Sequence, residues 1–149
     1  MATSIPLPEQ PAARTLSPRT SSVILLLRLE GLAVATVAAL LYARTGASWW
    51  LFAVLWLVPD LSMIGYLAGP RIGALAYNAM HSHVAPLALG ILALLLHRSG
   101  LLPYALIWIN HIGVDRALGY GLKYPQGFGF THLGSFGRKK ADHAASGSA

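Results

Sequence analysis

The chain has 149 residues, of which 55% are hydrophobic and only 11% are charged, and its formal net charge is +6. Soluble domains carry about 25% charged residues, so this composition excludes a disordered chain and a basic nucleic-acid-binding domain, and it indicates a membrane protein. Cysteine is absent, which excludes thiolate chemistry and cysteine-ligated metal sites.

Four apolar runs follow a polar, flexible N-terminal tail at residues 1–22. About 20 apolar residues are enough to cross a hydrocarbon core ~30 Å thick. The runs lie at about 23–42, 49–68, 72–96 and 101–120. Trp49 and Trp50 open the second run as residues of an aromatic belt do, and Gly69-Pro70 ends it. The sequence therefore predicts an all-α fold, an integral membrane four-helix bundle at residues 23–121.

Basic residues outside the four runs are concentrated on one side of this topology. A Gly- and aromatic-rich segment at 122–137 and a disordered basic tail at 138–149 complete the chain. One side holds Arg14, Arg19, Arg71, Lys123, Arg138, Lys139 and Lys140, and the other holds Arg44 and Arg98. By the positive-inside rule, both termini are cytoplasmic, and the protein is a multi-pass protein of the cytoplasmic (inner) membrane.

Three of the five acidic residues lie inside or at the edge of apolar runs: Glu30, Asp60 and Asp115. His81 and His111 lie at similar depths in the cytoplasmic half. Each such residue would cost about 2.5–3.5 kcal/mol if it faced lipid at the centre of a helix, so we expect all five to turn inward. The bundle is thus expected to enclose a polar site near its inner face.

The most specific local pattern is His111-Ile-Gly-Val-Asp115. Residues four apart share one helix face, with Cβ atoms ~5–6 Å apart, so the imidazole and the carboxylate can reach one ion or each other. Tyr77 and His81 have the same spacing. His83 is two residues beyond His81 and points to nearly the opposite face of a regular helix.

Nitrogen and oxygen donors without sulfur suit Zn²⁺, Mn²⁺ or Fe²⁺. The sequence predicts a divalent metal site whose ligands are Asp60, His81, His111 and Asp115. Glu30 or Tyr77 would act as the catalytic proton donor or as a hydrogen-bonding partner of a ligand. No other cofactor is predicted.

Structural alternatives compete with each of these roles. His111 and Asp115 would form an interhelical hydrogen-bonding pair, and Glu30 would pair with Arg71 or Arg116. Trp56 and Trp108 would be packing residues, whereas Gly113-x-x-x-Ala117 permits close helix contact.

Several motifs together resemble one known family. They include Arg28-Leu-Glu-Gly31, Pro59-Asp60-Leu-Ser-Met, Gly65-Tyr-Leu-Ala-Gly-Pro70, His111-Ile-Gly-Val-Asp115, Tyr124-Pro125 and Thr131-His132-Leu-Gly134. Over about residues 25–135, the chain is similar to a small bacterial membrane-protein family known as domain of unknown function 4260. That resemblance implies no activity.

A weaker resemblance, to a second family, does imply an activity. Pro59-Asp60, His81-Ser82, His111-x-x-x-Asp115 and Tyr124-Pro125 occur in the same order as in membrane-bound metal-dependent hydrolases. This similarity implies metal ligation by the four His and Asp residues and hydrolysis of a lipid-linked or amphipathic substrate. Ser62 and Met63 stand where those hydrolases have a second Asp and a His, so it implies a single-metal site or a structural remnant of one.

Three classes of function remain open on the sequence: a metal-dependent hydrolase, a proton- or ion-conducting protein, and an accessory membrane subunit. The predicted partners are membrane lipid and no nucleic acid. Conduction through so few helices calls for a homo-oligomer, and an accessory subunit belongs to a larger membrane complex. Convergence of the four side chains within ~5 Å would support both the metal and the relay, because each requires the groups to be in contact.

Overall fold

A computed structural model describes residues 18–125, 130–131 and 133–135. Its helices are α1 (Pro18–Arg44), α2 (Trp49–Trp56), a long 3-10 helix (Pro59–Ala68), α3 (Pro70–Met80), α4 (Val84–Leu95), a short 3-10 turn (Ser99–Leu101) and α5 (Leu102–Leu118). Two-residue strands β1 (Phe130–Thr131) and β2 (Gly134–Ser135) form an antiparallel hairpin. The described structure is dominated by helix, which confirms the helical part of the predicted fold class; the four-helix membrane bundle with cytoplasmic termini stays a prediction.

Three helical stretches are long and apolar enough to cross a membrane: Ser22–Arg44, Trp49–Ala68 and Pro70–Leu95. Within an apolar 18-residue window of each stretch, only 17%, 6% and 17% of the residues, respectively, are buried within the protein. Large apolar side chains face outward, including Leu67 at 89% and Trp50 at 81% exposure. Apolar surface on this scale needs a lipid environment to cover it. The fourth predicted run forms α5, whose 17 residues cover about 26 Å.

Two of the predicted runs are each divided into two helices. Ser48 starts α2 by accepting a hydrogen bond from the Trp50 amide, and the helix gives way to the long 3-10 helix at Pro59. The third run breaks at residues 81–83, between α3 and α4. Pro86 accounts for this break, because a proline has no amide hydrogen and its ring clashes with the carbonyl four residues earlier.

α5 is the central helix and packs against α1, α2 and α4. Its contact with α1 depends on Gly31 and Gly113. A Cβ added at Gly113 would lie 2.8 Å from the Ala35 nitrogen and the Gly31 carbonyl oxygen. A Cβ at Gly31 would lie 2.9 Å from the Ala117 nitrogen. Backbone therefore meets backbone here, and the close contact predicted at Gly113 and Ala117 is present.

The chain turns back after α5. Gly119 ends the helix with φ of 95°, a left-handed conformation that glycine adopts without steric cost. Lys123 then forms an isolated antiparallel bridge with Thr131, and Lys123, Thr131 and Leu133 are all buried. The predicted flexible and basic tails lie largely outside the described residues, although α1 begins at Pro18, within the predicted N-terminal tail.

Candidate metal centre

α5 supplies two donors of the candidate centre. His111 and Asp115 lie one helical turn apart, and the His111 Nε2–Asp115 Oδ2 distance is 3.9 Å. The His111 side chain is 1% exposed and that of Asp115 is 14% exposed. The shared helix face predicted from the four-residue spacing is present.

The long 3-10 helix and α3 supply the other two donors. Asp60 occupies the first turn of the 3-10 helix, and His81 is the residue that ends α3. The His81 Nε2–Asp60 Oδ1 distance is 3.4 Å, with the imidazole 1% exposed and the carboxylate side chain 41% exposed. Because the 3-10 helix packs against α3, one helical pair positions both residues.

The two pairs of donors meet. His81 Nε2 lies 3.5 Å from Asp115 Oδ2 and 3.2 Å from His111 Nε2, while His111 Nε2 lies 3.6 Å from Asp60 Oδ1. One donor atom from each of the four residues lies within 4.8 Å of all the others. Four ligands arranged tetrahedrally around Zn²⁺ at 2.0–2.1 Å are about 3.3 Å apart. Five of the six donor–donor distances, at 3.2–3.9 Å, are close to this value, so the cluster could hold one ion.

Tyr77 orients two of the four donors. The His81 imidazole contacts the Tyr77 carbonyl through Nδ1 at 2.9 Å, and since a carbonyl only accepts, Nδ1–H is the donor. The Nε2 lone pair of His81 is thus directed at the cluster. The Tyr77 ring stacks on the imidazole at 3.7 Å, and its hydroxyl donates to Asp115 Oδ2 at 3.2 Å.

His111 is fixed by its apolar and amide neighbours. The Trp56 ring meets it edge-on at 4.8 Å, and Trp56 Nε1 donates to Asn110 Oδ1 at 2.9 Å. Asn110 in turn donates to the Ala35 carbonyl at 2.8 Å and is buried. His111 Nδ1 is buried without a hydrogen-bond partner among the described residues. Its Nε2 is therefore the nitrogen that faces the other donors.

Two cations border the centre. Arg116 donates to the carbonyl oxygens of His81 and Tyr120, at 2.9 Å each. Lys123 Nζ lies 5.1 Å from the centroid of the Tyr77 ring. Burial lowers the pKa of Lys123, which follows α5, and the negative charge of Asp115 opposes this effect.

Asn78 fixes the main chain at Lys123 through both ends of its amide. Asn78 Nδ2 donates to the Lys123 carbonyl at 2.8 Å, and the Lys123 amide donates to Asn78 Oδ1 at 2.7 Å. The segment after α5 is thereby held against α3.

Glu30 is not brought into the cluster. It lies on an exposed face of α1, and the expected ion pair with Arg71 or Arg116 is absent from the described part of the chain. The nearby Arg28 donates instead to the Ala117 carbonyl, at 2.8 Å.

His83 also lies outside the cluster. It follows the end of α3, and its Nε2 is buried without a hydrogen-bond partner among the described residues. His132 is outside those residues.

Sequence reasoning missed the supporting roles of Asn110, Asn78, Trp56 and Trp108. The two tryptophans were expected only to pack, yet each also donates a hydrogen bond, and Trp108 Nε1 reaches the Met80 carbonyl at 2.6 Å. The available signal was polarity: an asparagine inside an apolar run needs a partner in a membrane protein.

The fold and the site together define a class: a helical protein of membrane type with a buried His/Asp cluster between α3 and α5. Residues 24–136 match the family described as Domain of unknown function (DUF4260), and the chain belongs to it. This confirms the family predicted from the motifs. No curated protein and no solved structure is significantly similar to the chain. The similarity to metal-dependent hydrolases stays a prediction.

Proposed function

We propose that this protein binds one divalent metal ion through Asp60, His81, His111 and Asp115. The observation that carries the proposal is the convergence of four donor atoms, from residues far apart in sequence, to within 4.8 Å of one another. Two imidazoles and two carboxylates suit Zn²⁺, Mn²⁺ or Fe²⁺.

Charge supports this proposal. With both carboxylates ionised and both imidazoles neutral, the cluster carries a formal charge of −2, and three of its four side chains are at most 14% exposed. Burial of unpaired charge is costly, and a divalent cation at the centre of the group neutralises both carboxylates at once.

The hydrogen bonds that orient the donor residues also support the proposed metal site. A metal-bound histidine usually donates its other ring N–H to a carbonyl or carboxylate, and a bound carboxylate usually accepts a further hydrogen bond. His81 has the first arrangement and Asp115 the second, both through Tyr77.

The chemistry we propose is hydrolysis of a lipid-linked or amphipathic substrate. A divalent ion with an open coordination position activates water for attack. In this proposal the Tyr77 hydroxyl delivers a proton to the leaving group, and its hydrogen bond to Asp115 supports that role because it places the hydroxyl beside the cluster. Tyr77 is better placed for this role than Glu30, which lies outside the cluster.

We further propose that α5 spans the membrane with the other three stretches, so that both termini are cytoplasmic in the inner membrane. The supporting observation is the charge pattern of the sequence: the basic residues of the two tails and of the loop at Arg71 outnumber those of the loops at Arg44 and Arg98. Lipid is then the principal partner of the exposed helix faces.

Metal analysis of the detergent-purified protein tests the proposal. We expect about one metal ion per chain, lost in Asp115→Asn and in His111→Ala because each substitution removes a ligand. His97→Asn is the matched control, since His97 is an exposed histidine in the turn after α4. A wild-type protein that is free of metal and equally stable with a chelator would contradict the proposal.

A proton relay is the second candidate, and one observation favours it. Tyr77, Asp115, His81, His111 and Asp60 form a continuous chain of polar contacts from a buried phenol to a partly exposed carboxylate. A relay predicts proton flux in liposomes that Asp115→Asn abolishes and a chelator leaves unchanged.

A further inference from the structure

The four donors of the candidate metal centre differ in how firmly they are held. The side chains of His81 and His111 are 1% exposed and that of Asp115 is 14% exposed, whereas that of Asp60 is 41% exposed. Asp60 is the donor that solvent or a substrate reaches first.

The contacts that each donor makes with residues outside the cluster show the same difference between Asp60 and the other three donors. Tyr77 holds both His81 and Asp115, and Trp56 packs against His111. The polar side-chain contacts of Asp60, by contrast, are with the two histidines alone in the described part of the chain. Among the residues that the structure describes, no group outside the cluster fixes the Asp60 carboxylate.

The backbone that carries Asp60 is also distinctive. Runs of 3-10 helix longer than three or four residues are uncommon, because their hydrogen-bond geometry is poorer than that of an α-helix, and such stretches are frequent at functional hinges. Asp60 lies in a 3-10 helix of 10 residues. Its neighbour Leu61 is 61% exposed, so this edge of the centre borders the lipid-facing surface.

We propose that Asp60 is the exchangeable ligand of the centre: it closes the resting site, and its departure during the reaction would open the position that the attacking water or a substrate oxygen takes. The inference rests on the proposed metal site. His81, His111 and Asp115 then remain as a fixed set of two imidazoles and one carboxylate. Three protein ligands with one open position is the arrangement of catalytic zinc sites, whereas four protein ligands make a closed, structural one.

Manganese binding and water-proton relaxation of the full-length protein in detergent test the inference. We expect Asp60→Ala to keep one Mn²⁺ with a Kd raised only about tenfold, as small an effect as the loss of a ligand's hydrogen-bonding partner has. We expect its relaxivity to rise by the contribution of about one coordinated water, since the vacated position becomes open. Asp115→Asn should lose the ion, and His81→Gln serves as the reference for ligand loss if Asp115→Asn does not fold.

The outcomes separate this inference from the proposed function. A wild-type protein that binds no Mn²⁺ overturns the metal site and the inference with it. If the wild type binds Mn²⁺ but Asp60→Ala loses it as fully as Asp115→Asn does, only the exchangeable role of Asp60 is wrong. Retained metal with unchanged relaxivity overturns the same role, because Asp60 then occupies no coordination position.

Discussion

Tyr77 connects to the cluster through three different atoms or groups. Its carbonyl orients His81, its ring stacks on that imidazole, and its hydroxyl donates to Asp115. The backbone contact survives any substitution, and the stack survives an aromatic one. A single change can therefore separate the hydroxyl from the rest.

Tyr77→Phe removes the hydroxyl and keeps the ring. We expect the metal affinity to fall roughly 10- to 100-fold, because a ligand loses the partner that orients it. The cost in unfolding free energy should be only about 1 kcal/mol, the typical net value of one hydrogen bond. Metal titration and denaturant unfolding in detergent measure the two effects.

Tyr124→Phe is the matched control for that experiment, since Tyr124 is an exposed tyrosine beyond α5. If Tyr77→Phe binds metal as tightly as the wild type does, the hydroxyl does not orient Asp115 for metal binding.

Residue patterns in the sequence predicted the four donor residues, but they did not predict the residues that hydrogen-bond to and orient those donors. His111 and Asp115 share one helix, so helical periodicity alone places them together. Asn110 and Asn78 act through partners on other elements, Trp56 and the main chain at Lys123, and no spacing within one helix encodes such a contact. Counting residues along each predicted span gave Asp60 and His81 about the same depth as His111 and Asp115. Equal depth does not imply contact, and the contacts among the four residues depend on how the helices pack.

At the scale of the elements, the main difference from expectation is that the third predicted run forms two helices, α3 and α4, and not one. The run at 72–96 is apolar apart from a few polar residues around His81, and its length suggested one continuous helix. The stretch Pro70–Leu95 is still long and apolar enough to cross a membrane. Pro86 breaks it, which frees the end of α3 to present His81 to the cluster. Hydropathy reports which residues lie in lipid and is insensitive to a local break whose polar groups are satisfied within the protein.

The contact between α1 and α5 allows a second prediction. Gly113→Ala should destabilise the protein by about 1–3 kcal/mol, because the added methyl group meets backbone atoms that can move only if the helices separate. Metal affinity should fall as well, since His111 and Asp115 flank this position on α5. Unfolding in detergent and metal titration check both.

Gly90→Ala is the control for replacing a glycine by alanine within a helix, since Gly90 lies in α4. Its Cβ would lie 3.7 Å from the Ala105 side chain, which is ordinary contact. Equal stability of the Gly113→Ala and Gly90→Ala proteins would mean that α1 and α5 do not pack as closely as the structure has them.

At the scale of the whole molecule, the absence of cysteine makes the topology directly measurable. If α5 spans the bilayer, Gly100→Cys and Tyr124→Cys lie on opposite sides. We expect an impermeant thiol reagent to label position 100 in intact cells and position 124 only after the membrane is opened, because the termini are proposed to be cytoplasmic.

Both positions are suited to the measurement. No atom lies within 4 Å of a Cβ built at Gly100, and Tyr124 is exposed. Labelling of both positions from the same side would show that α5 does not cross the membrane and would leave three spans.

The division of the four donors between distant parts of the chain has a consequence for biosynthesis. Asp60 and His81 leave the ribosome before α5 does, and a membrane protein is inserted from its N-terminal end. Until α5 is in place, only half of the ligand set exists, and Asp60 and His81 lack the partners that His111 and Asp115 provide. If the chain binds an ion as proposed, loading of the ion is therefore a late step, because α5 supplies the last two ligands.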